Sequence, residues 1–307
     1  MAPVRRLFVT GRHGFVGSAL VRRVAERHAD EWEVLDVPPA LDLRDLASVH
    51  ALVAAARPDA VIHLAAQSAV PDALRDPETT LSVNLLGTLH LLQALDAHGF
   101  RGQLLYVGSG DVYGNVPEDC LPVNETWLPH PRNPYAVSKL AAEALCWQWH
   151  ASEGMRVVLA RPFNHIGPGQ SDRFVVSSIA RQLAEIRRGT RSGVIRVGRL
   201  DTSRDFTDVR DVVDAYLALL RHGEPGEVYN VCSGVERAIG SVLEQLIVLA
   251  GVDVRAEEEQ ARVRSSEQIR MRGDPGKLIR ATGWQPKIPI EVSLFEVLAY
   301  WEQLIDG

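Results

Sequence analysis

Cysteine is scarce in this chain of 307 residues: Cys120, Cys146 and Cys232 stand far apart, and an odd number cannot all pair. They form no metal-type pair, and the ten histidines show no close ligand spacing, so no metal site is expected. A reduced, cytoplasmic setting is the simplest expectation. Positive charge is in deficit as well. Lys and Arg number 33 against 39 Asp and Glu, a net charge of −6, which excludes a general nucleic-acid binder. An anionic small ligand stays open, because a few well-placed arginines suffice for it. No apolar run approaches the roughly 20 residues of a membrane-spanning helix. No n-region or cleavage site precedes the first strand, so no signal peptide is expected. Repeats, low-complexity tracts and long linkers are missing too. Hydrophobic residues at 46% and charged residues at 23% are ordinary for a globular protein, and the length suffices for one large two-lobed fold.

Alternation fills the first half of the chain. RRLFVTG reads as a strand, SALVRRVAERHA as an amphipathic helix and EWEVLDV as a second strand. LASVHALVAAARP is helical, AVIHLAA is a continuous apolar strand, and TLSVNLLGTLHLLQALDAHG is one long helix. QLLYVGSG is a strand, YAVSKLAAEALCWQWHASEG a helix, and RVVLARPFN a strand. Strands apolar on both faces between helices predict a doubly wound, mostly parallel α/β sheet. After about Gly167 the pattern loosens, with helices at VSSIARQLAEIRRG and DVVDAYLALLRHG and a short strand at VYNVCSG. The expected division is a dinucleotide-binding lobe over residues 1–166, rejoined by 205–235. A smaller interleaved lobe over 167–204 and 236–307 would take the nucleotide sugar. The charge-rich EEEQARVRSSEQIRMR reads as a solvated connection.

VTGRHGFVG places Gly11, Gly14 and Gly17 between the first strand and helix. Glycines there allow a tight turn, a close approach to a pyrophosphate and close helix–strand packing, while the helix amino terminus offers free N–H groups. At the start of an alternating chain, this favours dinucleotide binding over packing alone. Asp36 closes the second strand near the spacing of about 20 residues at which an acid meets the adenosine ribose, favouring NADH. Arg12, inside the turn, favours the phosphate of NADPH, so both cofactors stay open. Asp42 caps the next helix or meets the adenine.

YAVSK sets Tyr135 and Lys139 four residues apart on one face of a helix. An ammonium near a phenol lowers its pKa from about 10. Such a tyrosine can pass a proton to a sugar oxygen while hydride moves at the adjacent carbon.

With TGRHGFVG, HLAA, VNLLGT, GSGDVYG, PRNPYAVSK, ARPFNHIGPG, RDFTDVRD and YNVCSG in order, essentially the whole chain resembles the extended short-chain dehydrogenase/reductase family. PHPRNPYAVSK, ARPFNHIGPGQ and YNVCSG look most like its GDP-mannose branch. The resemblance implies that Ser109, Tyr135 and Lys139 are catalytic, with Ser109 on the keto oxygen and Lys139 on the nicotinamide ribose. It implies a cofactor path along Gly11, Arg12, Gly14, Phe15, Val16, Gly17, Asp36, Asp42, Leu43, Leu64, Ala65, Ala66 and Pro162. Gln67 lies just beyond, toward the substrate. Asn84 supports the active site, or is an interior polar residue bonded to backbone; the two are compatible.

In the 4,6-dehydratases of this family, a side chain followed by glutamate stands between the catalytic Ser/Thr and the tyrosine of Tyr-Gly, and that glutamate abstracts the proton at carbon 5. Here those two positions are Gly110, which can do no acid–base work, and Asp111, one methylene shorter. Misplacement on the order of an ångström can cost about a hundredfold. Reduction needs no such base, so Asp111 is expected to position sugar hydroxyls or to cap the turn through backbone N–H groups. The implied activity is NADPH- or NADH-dependent reduction of a GDP-linked 4-keto-6-deoxymannose; a 4,6-dehydratase or an epimerase is the alternative. The resemblance also assigns Arg204, Arg264 and Glu267 to the nucleotide diphosphate and ribose, with Arg199 a weaker candidate and Asn164 reaching in from the sheet edge. RSSE at 264–267 departs from the family's usual Arg-Pro-x-Glu/Asp. The helices LSVNLLGTLHLLQAL and KLAAEALCWQW are expected to form a four-helix homodimer interface.

Overall fold

The computed structural model describes residues 3–39, 41–259 and 268–306. In chain order its strands are β1 (Arg5–Thr10), β2 (Trp32–Val34), β3 (Ala60–His63), β4 (Gln103–Val107), β5 (Arg156–Pro162), β6 (Asn164–Ile166), β7 (Val194–Val197), β8 (Ser203–Asp208), β9 (Val228–Val231), β10 (Glu236–Ala238) and β11 (Arg255–Glu258). The α-helices are α1 (Phe15–Arg27), α2 (Leu46–Ala56), α3 (Val70–Arg75), α4 (Pro77–Leu81), α5 (Gly87–Ala97), α6 (Pro134–Glu153), α7 (Val175–Arg187), α8 (Val209–His222), α9 (Ile239–Ala250), α10 (Gly276–Thr282) and α11 (Ile290–Asp306).

The large sheet runs β2-β1-β3-β4-β5-β9, and every pairing in it is parallel. Its central strands are buried on both faces because helices cover both. Leu7, Val9, Ile62, Leu105 and Val158 face a cluster with α1 and α8, whereas Phe8, Val61, Leu104, Tyr106 and Val157 face α2, α5 and α6. This two-sided burial explains the continuous apolar strands of the sequence. The strand order reverses direction between β2 and β3 about β1, so a crevice opens at the carboxyl ends of β1 and β3, where open α/β sheets bind ligands.

Two smaller sheets build the second lobe. One is β10-β8-β6; the other pairs β11 with β7. A separate core of Ile179, Leu183, Val242, Leu246, Leu294 and Val297 joins α7, α9 and α11. Residues 205–208 sit in β8, outside the large sheet, so the chain returns to the dinucleotide lobe through α8 and β9. Asp205, fully buried, holds the lobes together by accepting from Ser233 N and Oγ, Gly234 N and Gly273 N.

The long helix read over TLSVNLLGTLHLLQALDAHG starts earlier and is interrupted. Asp76 caps α4 through Thr79 N, and a π-helical turn over Ser82–Leu86 separates α4 from α5. Such turns cluster at functional sites. Asp42 does not cap α2: Asp45 does, accepting from Ala47 N and Ser48 N. Asp42 instead grips Arg44 through its backbone N and its guanidinium, which pulls its carboxyl down to about 2.

Candidate active site

The glycine turn is shaped for close backbone approach. Gly11 has φ +71°, and a Cβ there would stand 2.8 Å from Ala65 N; at Gly17 it would stand 2.2 Å from Gly11 O. Any side chain would drive β1, α1 and the β3 end apart. Helix α1 begins at Gly14, whose missing side chain leaves its first-turn N–H groups uncapped, and no acid occupies that turn. A cradle of backbone donors without a side-chain acceptor fits a dinucleotide pyrophosphate. Phe15 and Val16 open the helix, and Leu64, Ala65 and Ala66 follow β3 across the crevice. Leu43 stands beyond this rim, its buried side chain against Gly87 at the head of α5.

Arg12 and Asp36 meet directly. Arg12 Nη1 donates to Asp36 Oδ1 and to Leu35 O, both at 2.7 Å. The Arg12 side chain is largely covered while the Asp36 carboxylate is 96% exposed. The two residues that argue for opposite cofactors are thus one unit at the end of β2.

Helix α6, which carries Tyr135 and Lys139, is placed by its first residues. Asn133 Oδ1 accepts from Ala136 N at 2.8 Å, and Pro134 fills the first helical position, where a missing N–H costs nothing. Tyr135 then lies in the first turn and Lys139 one turn on. Ser109, two residues past β4, caps the short 3₁₀ turn Gly110–Tyr113, accepting from Asp111 N at 3.2 Å. Its side chain acts on the Tyr135 phenol, which also feels the Asp111 carboxylate. The fold therefore brings Ser109, Asp111 and Tyr135 together.

Electrostatics at this point differ from the expectation drawn from Tyr-x-x-x-Lys. Burial raises the Tyr135 phenol far above its ordinary value, Asp111 raises it further, and Ser109 opposes. The Lys139 ammonium is itself buried, which lowers it to about 8 against the pull of Cys146 and Glu143. It lies 4.9 Å from the centre of the Tyr106 ring. The phenol is accordingly protonated at neutral pH and able to donate.

Gly110 is a glycine for a packing reason. A Cβ there would stand 3.1 Å from the ring of Phe163, next to Pro162 at the end of β5. Asp111 is exposed at the rim. Asn84, in the π-helical turn, is buried and clamps the backbone of Gln67 on both sides: Oδ1 accepts from Gln67 N at 2.8 Å, and Nδ2 donates to Gln67 O at 3.0 Å. The Gln67 carboxamide oxygen accepts from Thr80. Nδ2 also reaches Ser138 Oγ in α6 at 2.9 Å, so Asn84 is an interior polar residue bonded both to backbone and to the helix that carries Tyr135.

The nucleotide-end residues lie in the second lobe. Arg204, on β8, donates to Ser203 O at 2.8 Å, and Arg199 pairs with Asp201 at 2.6 Å. Asn164 opens β6 with its side chain exposed. Arg264 and Glu267 lie outside the described residues. The sequence did not single out Glu143 and Arg161, a buried ion pair behind Lys139, or His63, Thr10 and Thr88 beneath the cofactor crevice.

Comparison with known proteins decides the family. Residues 7–232 match the model of the NAD dependent epimerase/dehydratase family. The chain belongs to that family. It is 54% identical over 301 residues, 98% of each chain, to GDP-6-deoxy-D-mannose reductase of Pseudomonas aeruginosa. GDP-mannose 4,6 dehydratase 2 of Arabidopsis thaliana is 30% identical, covering 81% of this chain and 67% of that one. Among solved structures, RMD from Pseudomonas aeruginosa complexed with NADPH superposes with a TM-score of 0.93 at 53% identity, over 98% of this chain and all of that one. Family membership accounts for the parallel sheet and the glycine turn.

Proposed function

We infer that this chain is an NAD(P)H-dependent 4-reductase that converts GDP-4-keto-6-deoxy-D-mannose to GDP-6-deoxy-D-mannose (GDP-D-rhamnose). One observation carries the reaction type: the Tyr135 phenol is held protonated and acted on by Ser109, while the position after Ser109 is a glycine crowded by Phe163 and carries no side chain that could serve as a base. A bound nicotinamide supplies hydride to the ketone carbon. Ser109 donates to the keto oxygen and polarises it. Tyr135 donates its proton to that oxygen as alkoxide character develops, and the buried Lys139 ammonium orients the ribose beside it.

Substrate class and cofactor follow the relatives: a 54% identical reductase of GDP-6-deoxy-D-mannose, and a structure holding NADPH. Arg12 favours NADPH here, provided that its guanidinium turns from Asp36 to a 2′-phosphate. Arg199, Arg204, Arg264 and Glu267 are proposed for the nucleotide end, and Asn164, Gln67 and Asp111 for the sugar. A 4,6-dehydratase reading draws on Asp111, whose charge reaches Tyr135. Its short side chain at an exposed rim disfavours a role as the carbon 5 base.

Homodimerisation through a four-helix interface of the α4–α5 segment and α6 is supported by exposed Leu86, Val137 and Trp147 on those helices. A cytoplasmic location is supported by three unpaired cysteines. No described helix is long and apolar enough to cross a membrane. The test is nicotinamide absorbance with purified enzyme and GDP-4-keto-6-deoxymannose. Stoichiometric oxidation that requires the keto sugar is expected, faster with NADPH than NADH. Conversion of GDP-mannose to the keto sugar without net cofactor use would replace the reductase reading with the dehydratase one.

A further inference from the structure

Beneath the cofactor crevice, His63 at the end of β3 is 2% exposed, and both ring nitrogens are engaged. Nδ1 lies 2.6 Å from Thr10 Oγ1 and Nε2 lies 2.9 Å from Thr88 Oγ1; both threonines are 1% exposed. The two outer ends of this chain fix its polarity. Ala65 N–H can only donate, and it reaches Thr10 Oγ1 at 3.2 Å. Asn84 O can only accept, and it receives the Thr88 hydroxyl at 2.6 Å. The Thr88 proton is therefore spent on Asn84, so Thr88 Oγ1 accepts from His63 and the ring proton is on Nε2. Nδ1 is then the acceptor, and the Thr10 hydroxyl donates to it.

We propose that His63 is a positioning residue, held neutral with its proton on Nε2, that locks the cofactor turn to the catalytic helix. On one side, Ala65 stands against Gly11. On the other, the Asn84 side chain grips Gln67 and Ser138, and Ser138 Oγ donates to Tyr135 O at 2.7 Å. Two directed runs of hydrogen bonds thus meet at Asn84: one from the strand end lining the cofactor to its main-chain carbonyl, the other from its side-chain amide through Ser138 to the backbone of Tyr135. A second ring proton would have to point at Thr10 Oγ1 and strand the Thr10 hydroxyl proton in a dry interior. The Lys139 ammonium disfavours it further, and the Tyr106 ring, 5.9 Å away, offers no carboxylate to compensate.

The proposal leans on the reductase reading only for its kinetic part. In full-length enzyme labelled with ¹⁵N-histidine, long-range ¹H–¹⁵N spectra report the tautomer, with His63 assigned by its contacts to the Thr10 and Thr88 methyl groups. A neutral ring protonated on Nε2, unchanged between about pH 6 and 8, is expected. An Nδ1–H ring, an imidazolium or rapidly averaging tautomers would overturn it. Kinetically, Thr88→Val touches neither cofactor nor substrate in this arrangement. It is expected to lower kcat/KM for NADPH on the order of tenfold, about the worth of one buried hydrogen bond. Thr10→Val/Thr88→Val should then be no worse than the poorer single variant. Independent, multiplicative losses would refute the coupling. Failure of the reductase reading would show instead as wild-type enzyme that binds NADPH and leaves the keto sugar unreduced, with the tautomer spectrum still readable.

Discussion

Glu143 and Arg161 form a two-point ion pair in the protein interior, Nη2 to Oε1 at 2.6 Å and Nε to Oε2 at 3.0 Å. Each residue is 5% exposed. Glu143 continues the face of α6 that carries Tyr135 and Lys139, and Arg161 belongs to β5. The Arg161 guanidinium also lies 4.9 Å from the centre of the Tyr113 ring, and the Tyr113 hydroxyl donates to Asn230 Oδ1 at 2.6 Å. The pair therefore ties α6 to the turn that presents Ser109. Truncating one member of a buried pair leaves the other charge uncompensated, at a cost of about 3–5 kcal/mol. Glu143→Ala is expected to lose that much in a denaturant titration. A loss below about 1 kcal/mol would mean that solvent reaches Arg161.

Lys139 sets a pH dependence. Burial lowers it from 10.5 to about 8, with Cys146 and Glu143 pulling the other way. Because the folded value lies below the unfolded one, the buried ammonium costs stability at pH below about 8, and that cost fades as pH rises through 8 toward 10.5. Activity runs the opposite way, since the orienting group is the ammonium: kcat/KM for reduction should fall as pH rises through about 8. Glu143→Gln, which removes a charge that raises Lys139, should move this alkaline limb to lower pH. A profile flat well above pH 8 in wild type would remove Lys139 from the charged role.

The Arg12–Asp36 unit makes a cofactor prediction. Arg12→Ala is expected to weaken NADPH binding by roughly 10–100-fold, the worth of charge-assisted hydrogen bonds to a phosphate, with NADH within about twofold. Asp36→Asn, which releases the guanidinium from its carboxylate, should tighten NADPH. Fluorescence titration of both dinucleotides checks this. Equal losses for NADPH and NADH in Arg12→Ala would mean that Arg12 only shapes the glycine turn.

Legibility in the sequence followed the range of the contacts. Ser109, Tyr135 and Lys139 are readable because a strand end, a proline-capped helix start and a four-residue spacing set their positions locally. The parallel sheet is readable because burial on both faces leaves unbroken apolar runs. The buried polar network was not: His63 meets Thr10 and Thr88 across 53 and 25 residues, and Glu143 meets Arg161 across 18. Only the spacing of Glu143 from Lys139, equal to that of Lys139 from Tyr135, could have pointed to it. The cap reading of Asp42 fails because Asp45, three residues on, competes for the same helix start and wins by reaching two N–H groups. The Tyr135 phenol misled because the spacing announces the lysine and says nothing of how strongly burial opposes the phenolate.

Tyr135→Phe removes the proton donor and keeps the ring. It is expected to bind NADPH like the wild type and to lose about 10²–10⁴-fold in kcat, the usual worth of a positioned acid. Stopped-flow absorbance and a binding titration separate the two effects. Full activity would pass the proton-transfer role to Ser109 or to water.

The most direct measurement follows the hydride itself. Enzyme is given GDP-4-keto-6-deoxymannose and NADPH deuterated at the transferring position of the nicotinamide, and the sugar product is read by NMR. One deuterium at carbon 4 of the product, with none at carbon 5, is expected of a 4-reductase in which Tyr135 supplies only the proton on oxygen. Exchange of solvent hydrogen into carbon 5, or product without the label at carbon 4, would contradict it.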